Sequence, residues 1–137
     1  MPTARRVQVT FDCADPPRPA SSWCQVLGQV LPPPPEGFTT WEDFERTLPL
    51  QRRGAAAACV DPTGVGPRLF LQRVPEGKVA KNRLHLDVRA GTDRVAALEA
   101  ECARLVDLGA MPVLLPVLGQ LRDLTDTALT WRAPSRT

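Results

Sequence analysis

His85 is the only imidazole in the 137-residue chain, and so the only side chain whose unperturbed pKa lies close to neutrality. A hydrogen-bonded structural histidine is the first expectation for it, a polar contact to a bound molecule the second, and a metal ligand or general base the third. No Ser-His-Asp or Cys-His order surrounds it. The four cysteines, Cys13, Cys24, Cys59 and Cys102, have no C-x-x-C spacing and one histidine to help them, so they read as reduced core residues rather than a zinc site. Asp12 and Asp87 lie on the polar faces of two alternating segments, where each reads as a strand-end or turn-directed carboxylate.

Those faces imply the elements that carry them. Residues 7–12 alternate, with Val7, Val9 and Phe11 on one side and Gln8, Thr10 and Asp12 on the other, the pattern of a half-buried strand. Residues 82–88 repeat it, with Leu84, Leu86 and Val88 against Arg83, His85 and Asp87. A helix is expected after each. In the first, Trp23, Val26, Leu27 and Val30 form the apolar stripe, with Ser21 or Ser22 as cap and an end near Gly28 to Val30. In the second the stripe is Val95, Leu98, Cys102 and Leu105, capped by Thr92 or Asp93 and ended by Gly109. Residues 55–61 and 68–74 are two further strands joined by a Pro- and Gly-rich hairpin loop at 62–67, and Phe70 shares a strand face with Gln72.

Phe38, Trp41 and Phe44 recur at spacing three, and Thr39 with Glu42 suits a capping box. The expectation is a short helix packed on the sheet edge; the functional alternative is an aromatic lid on a Pro-rich hinge. A net charge of +2, from 17 basic and 15 acidic residues interspersed along the chain, argues against nucleic acid or an anionic membrane as partner. No apolar run reaches the ~20 residues of a membrane span and residues 1–6 lack a signal-peptide core, so the cytoplasm is the expected location. Length and apolar fraction fit a single domain over residues 1–137.

The stretches VQVTFDCADP, LPPPPEGF with TWEDF, VDPTGVGPRLFLQRVPEGK and KNRLHLDVRAG together resemble the glyoxalase-like family of the vicinal-oxygen-chelate superfamily, which includes the bleomycin-resistance proteins. The resemblance implies an α+β fold of paired βαβββ modules, here about 5–77 and 80–137, forming a cup-shaped sheet around a central cleft with helices outside. In metal-using members of that superfamily the ligands come from the first and last strands of each module. By that register Gln8, Gln72 and Arg83 take three ligand positions, with His85 two residues along the third strand. The fourth is normally a glutamate near the C-terminus, yet no Glu follows Glu101, and the segment after Gly119 departs from the family pattern. The second module is therefore expected to be altered at its C-terminal end, and that segment to be the least well packed.

Two amides, an imidazole and a guanidinium suit a hard divalent ion poorly, so no cofactor is expected and a divalent metal is the disfavoured alternative. The favoured reading is binding of a small organic molecule, with Gln8, Thr10, Gln72, Arg83 and His85 as polar contacts and Phe70 and Trp41 as apolar ones. The resemblance leaves catalysis open. Its rivals are a metal-dependent lyase or isomerase of the glyoxalase kind, and a non-catalytic protein completed by another chain. It also implies a homodimer as the default assembly.

Overall fold

The computed structural model describes residues 3–80, 86 and 95–108. The chain divides into two compact units, Met1–Lys78 and Val79–Thr137, and the first holds all the described strands. Strand β1 (Gln8–Cys13) shows the expected alternation of exposed and half-buried residues. Strand β3 (Arg68–Arg73) pairs with it in parallel and with β2 (Ala56–Cys59) in antiparallel, giving the order β1-β3-β2. An isolated bridge between Val30 and Val60 extends the mixed sheet beyond β2 by a single residue pair. The described elements of the first unit run in the order strand, helix, short helix, 3-10 turn, strand, strand. Of the second expected module only Leu86, which is half-buried, and helix α3 (Val95–Asp107) are described; the strand at 82–88, both caps of its helix and the segment after Gly119 lie outside the described residues.

Helix α1 spans Pro17–Leu27 and so begins a turn earlier than a cap at Ser21 or Ser22 would allow. The reason lies in the prolines. Pro16 occupies the cap position with φ −54°, Pro17 follows, and Pro19 still falls in the first turn, where backbone N–H groups have no intrahelical acceptor to lose. Gly28 ends the helix in the left-handed conformation (φ 65°, ψ 27°), which a residue without Cβ adopts at no steric cost. Val30 therefore leaves the helical stripe; its N–H and C=O instead bond Val60 at 3.0 and 2.8 Å.

The buried side of α1 presents Ala20 and Trp23 to the sheet. Trp23 stacks on Phe11 of β1, ring centroids 5.6 Å apart and planes 13° from parallel. Cys59 of β2 donates its thiol to the Ala20 carbonyl at 3.1 Å, filling the space opposite the smallest residue of the helix face. Leu69 and Leu71 of β3, each 1% exposed, complete this core from the central strand.

Helix α2 (Trp41–Arg46) is capped by Thr40 rather than Thr39: Thr40 is extended, and its hydroxyl accepts the Asp43 N–H at 3.1 Å. Glu42 and Asp43 then fall in the first turn, where the helix dipole favours acidic groups. Phe44 receives Phe38 and Trp41 edge-on, at 5.3 and 5.9 Å between centroids, and the Trp41 indole N–H donates to the Pro32 carbonyl at 2.8 Å. Following α2, Arg73 of β3 reaches the carbonyls of Gln51 and Arg53, while Arg53 turns back to those of Leu48 and Arg46. These bonds tie the turn after α2 to the end of β3.

Leu69→Ala is expected to cost about 2–5 kcal/mol in urea unfolding, because the cavity opens at the central strand. Leu50→Ala, at a position 73% exposed, should change stability by less than about 0.5 kcal/mol. Equal effects of the two would show that α1 does not seal this core.

Candidate functional site

The side of the sheet away from α1 carries the polar residues. Parallel register sets Gln8 beside Arg68, Thr10 beside Phe70 and Asp12 beside Gln72; β2 places Ala58 beside Phe70 and Ala56 beside Gln72. Side chains of paired residues share a face, so Gln8, Thr10, Asp12, Arg68, Phe70 and Gln72 stand together on one surface. Phe70 is half-buried, and the five polar residues are exposed. Two alanines on the neighbouring strand keep the ground beside Phe70 low.

This face is organised by its own hydrogen bonds. Arg68 donates from Nη1 to the Gln8 side-chain oxygen at 2.7 Å, and its guanidinium carbon lies 5.4 Å from the Phe70 ring centroid. At the other end Gln72 donates its amide to the Asp12 carboxylate at 2.7 Å. Each glutamine expected at a ligand position is therefore paired with a charged side chain, and Gln8 also lies 3.5 Å from the Thr10 hydroxyl.

Four of the expected site residues, Gln8, Thr10, Phe70 and Gln72, are brought together here. Arg83 and His85 lie outside the described residues. Trp41 belongs to the α2 aromatic cluster, its indole N–H bonded to Pro32. The reading of the sequence did not weigh Arg68, although the alternation that joins Phe70 to Gln72 places Arg68 on the same side two residues earlier. Asp12, expected as a strand-end or turn-directed carboxylate, stands near the end of β1, and its carboxylate is tied across strands to Gln72.

A hairpin organised by Asp61 joins β2 to β3. Its carboxylate accepts from the Thr63 hydroxyl at 2.7 Å, the Thr63 N–H at 2.8 Å and the Gly66 N–H at 2.6 Å. The Thr63 hydroxyl above all, then the Gly66 N–H, holds the Asp61 carboxyl below its ordinary range. A Cβ on Gly66 would stand 2.9 Å from that carboxylate, so a larger residue there would have to displace the Asp61 oxygen from its bonds. On the core side, burial first and the neighbouring Cys24 second push the Cys59 thiol up to about 12. Cys13 is also raised, chiefly by burial. Both shifts disfavour the thiolate, which is the nucleophilic form.

Comparison with known families settles the kinship of the chain, since the glyoxalase-like domain matches residues 8–120. The chain belongs to the glyoxalase-like domain family, within the vicinal-oxygen-chelate superfamily. No curated protein and no solved structure matches it. The matched span begins at Gln8, the first residue of the polar face, and includes both strands that build it.

The metal chemistry used in parts of this superfamily can be tested against that face. The Gln8 oxygen is taken by a guanidinium, and the one carboxylate of the face, Asp12, is engaged by the neutral Gln72 amide. Among the described residues no group of three His, Cys, Asp or Glu is placed to hold a metal ion. A hard divalent ion needs anionic oxygen ligands and would be repelled by Arg68, so these residues do not fit it.

Two outcomes are expected from the loop and the core. Asp61→Asn should destabilise the protein at neutral pH: a carboxyl with a lowered folded pKa stabilises above its unfolded value, 3.8, and that contribution is lost as pH falls through the folded value. The difference between variant and wild type in denaturant unfolding should therefore shrink in acid; a difference independent of pH would contradict the hydrogen-bonded carboxylate. For the thiols, timed alkylation of native protein read by mass spectrometry should label Cys59 only on the timescale of unfolding. Early labelling there would contradict its burial against Ala20.

Proposed function

We propose that this chain binds a small organic molecule against the polar face of its first unit, in the manner of the drug-sequestering branch of its superfamily, and without an obligatory metal. The observation that supports the reading furthest is the engagement of Gln8 by Arg68. Gln8, which the family resemblance would put at a ligand position, instead supports a cation, and that cation lies over an aromatic ring. Thr10 and Gln72 add hydrogen-bonding groups beside Phe70, which supplies an apolar contact. Arg83, His85 and Trp41 stay in the proposal as further contacts from the rest of the cleft, and a homodimer in the cytoplasm as its setting. No helix among the described residues is long and apolar enough to cross a membrane.

Amide NMR shifts during titration with a library of planar aromatic fragments test the reading, with movement expected at Thr10, Phe70 and Gln72. Fragments that move only residues elsewhere would overturn it. Calorimetry with magnesium, manganese, nickel and zinc is expected to show no stoichiometric site of micromolar affinity. Such a site, reversed by a chelator, would favour the rival metal-dependent lyase or isomerase.

A further inference from the structure

The proposed reading leaves open what kind of molecule the face accepts, and the arrangement of charge on it narrows the choice. Arg68 and Asp12 are opposite in sign and stand on the same surface, yet they are not paired with each other. A neutral glutamine clamps each: Gln8 receives one N–H of Arg68, and Gln72 donates to one oxygen of Asp12. Arg68 has no carboxylate within ion-pair distance among the described residues. One of the five guanidinium N–H groups is thereby used, and the plane is steadied by Phe70. Its remaining donors are suited to the two oxygens of a carboxylate. Asp12 keeps acceptor capacity beyond the single bond from Gln72.

The spacing between these ends is set by the strand. Phe70, over which the Arg68 guanidinium lies, and Gln72, which holds Asp12, are two residues apart, or about 7 Å along the face. Between them lie the Thr10 hydroxyl, the Phe70 ring and the small side chains of Ala56 and Ala58. A flat apolar body with an anionic group at one end and a cationic group at the other meets a partner along its whole length. A molecule with two anionic ends meets Asp12 with a like charge, which opposes binding.

Resting on the small-molecule reading above, we propose that the ligand class of this face is a planar amphoteric molecule, with its carboxylate on Arg68 and its amino group on Asp12. The clamped glutamines give the two charges fixed positions before the ligand arrives, so that less side-chain freedom is lost on binding.

The test is a set of benzenes carrying one or two para-related substituents, titrated into the full chain and followed by amide NMR shifts. Para-aminomethylbenzoate carries both charges, benzamide neither, benzylamine the cation alone and terephthalate two anions. The expected result is that para-aminomethylbenzoate moves Thr10, Phe70 and Gln72 and binds at least about tenfold tighter than benzamide or terephthalate, a difference that salt reduces. Arg68→Gln should bring para-aminomethylbenzoate down to the affinity of benzylamine. Asp12→Asn should remove the penalty against terephthalate. Both positions are exposed, and preserved amide dispersion confirms that each variant is folded; the ranking on the wild-type chain decides the matter even where a variant fails to fold. Equal affinity for para-aminomethylbenzoate and benzamide, with shifts on this face, overturns the amphoteric ligand and leaves the small-molecule reading standing. If no probe moves any residue of the face, while fragments bind elsewhere or not at all, the small-molecule reading falls and this inference with it.

Discussion

β1 and β3 lie side by side in parallel although some sixty residues separate them, Gln8 meeting Arg68 across the strands. A parallel pair cannot be closed by a tight turn, so the chain between them must cross over the sheet, and the crossing must cover the apolar side. Helix α1 does so first, with Trp23 on Phe11 and Ala20 over Cys59. Every other feature of the unit follows from that pairing. β2 fills the antiparallel place beside β3 through the Asp61 hairpin, and the Pro-rich arm with α2 takes up the rest of the connection. Without the parallel pair, Leu69 and Leu71 would have no neighbour on one side and Gln8 no cation.

The long connection is held by side chains reaching for backbone carbonyls. Arg73 and Arg53 bond four of them around the turn Leu50–Arg52, and the Glu45 carboxylate accepts the Gly54 N–H. An irregular segment leaves carbonyls without ladder partners, and guanidinium groups, each with five donors, can satisfy several from one side chain. Part of the chain's arginine content therefore serves structure at the end of the sheet, while Arg68, on the opposite face of the same strand, carries a charge with no acidic partner among the described residues. Strand alternation alone separates these two roles of one residue type.

The same alternation lets the polar face vary in chemistry while the apolar side of each strand keeps the core. A ligand position in a strand is a place on a surface, and its chemistry depends on the residue across the ladder. With an arginine opposite Gln8, the amide oxygen becomes a hydrogen-bond acceptor for a cation instead of a donor to an ion. The core side is untouched by that exchange, since Leu69 and Leu71 point the other way.

Much was legible in the sequence because it follows from local rules. A period of two put Gln8, Thr10 and Asp12 on one side of β1 and Val9 and Phe11 on the other, glycine at 28 marked the helix end, and the loop at 62–67 separated two antiparallel strands. The start of α1 lies four residues before Ser21 because prolines at the cap and in the first turn open the helix, and the cap of α2 lies one residue beyond Thr39 because the backbone decides which of two adjacent threonines is extended. The partnerships lay beyond the sequence. Shifting β1 by two residues against β3 would preserve every face and every alternation, yet would part Gln8 from Arg68 and Asp12 from Gln72. That register is decided by packing, where Phe11 must reach Trp23 and Leu71 must lie beside Phe11, contacts between residues that no local pattern connects. Residue types and faces were therefore determined by the sequence; the juxtaposition of an arginine, a glutamine and a phenylalanine into one surface was decided by tertiary structure, because only the folded core sets the register between distant strands.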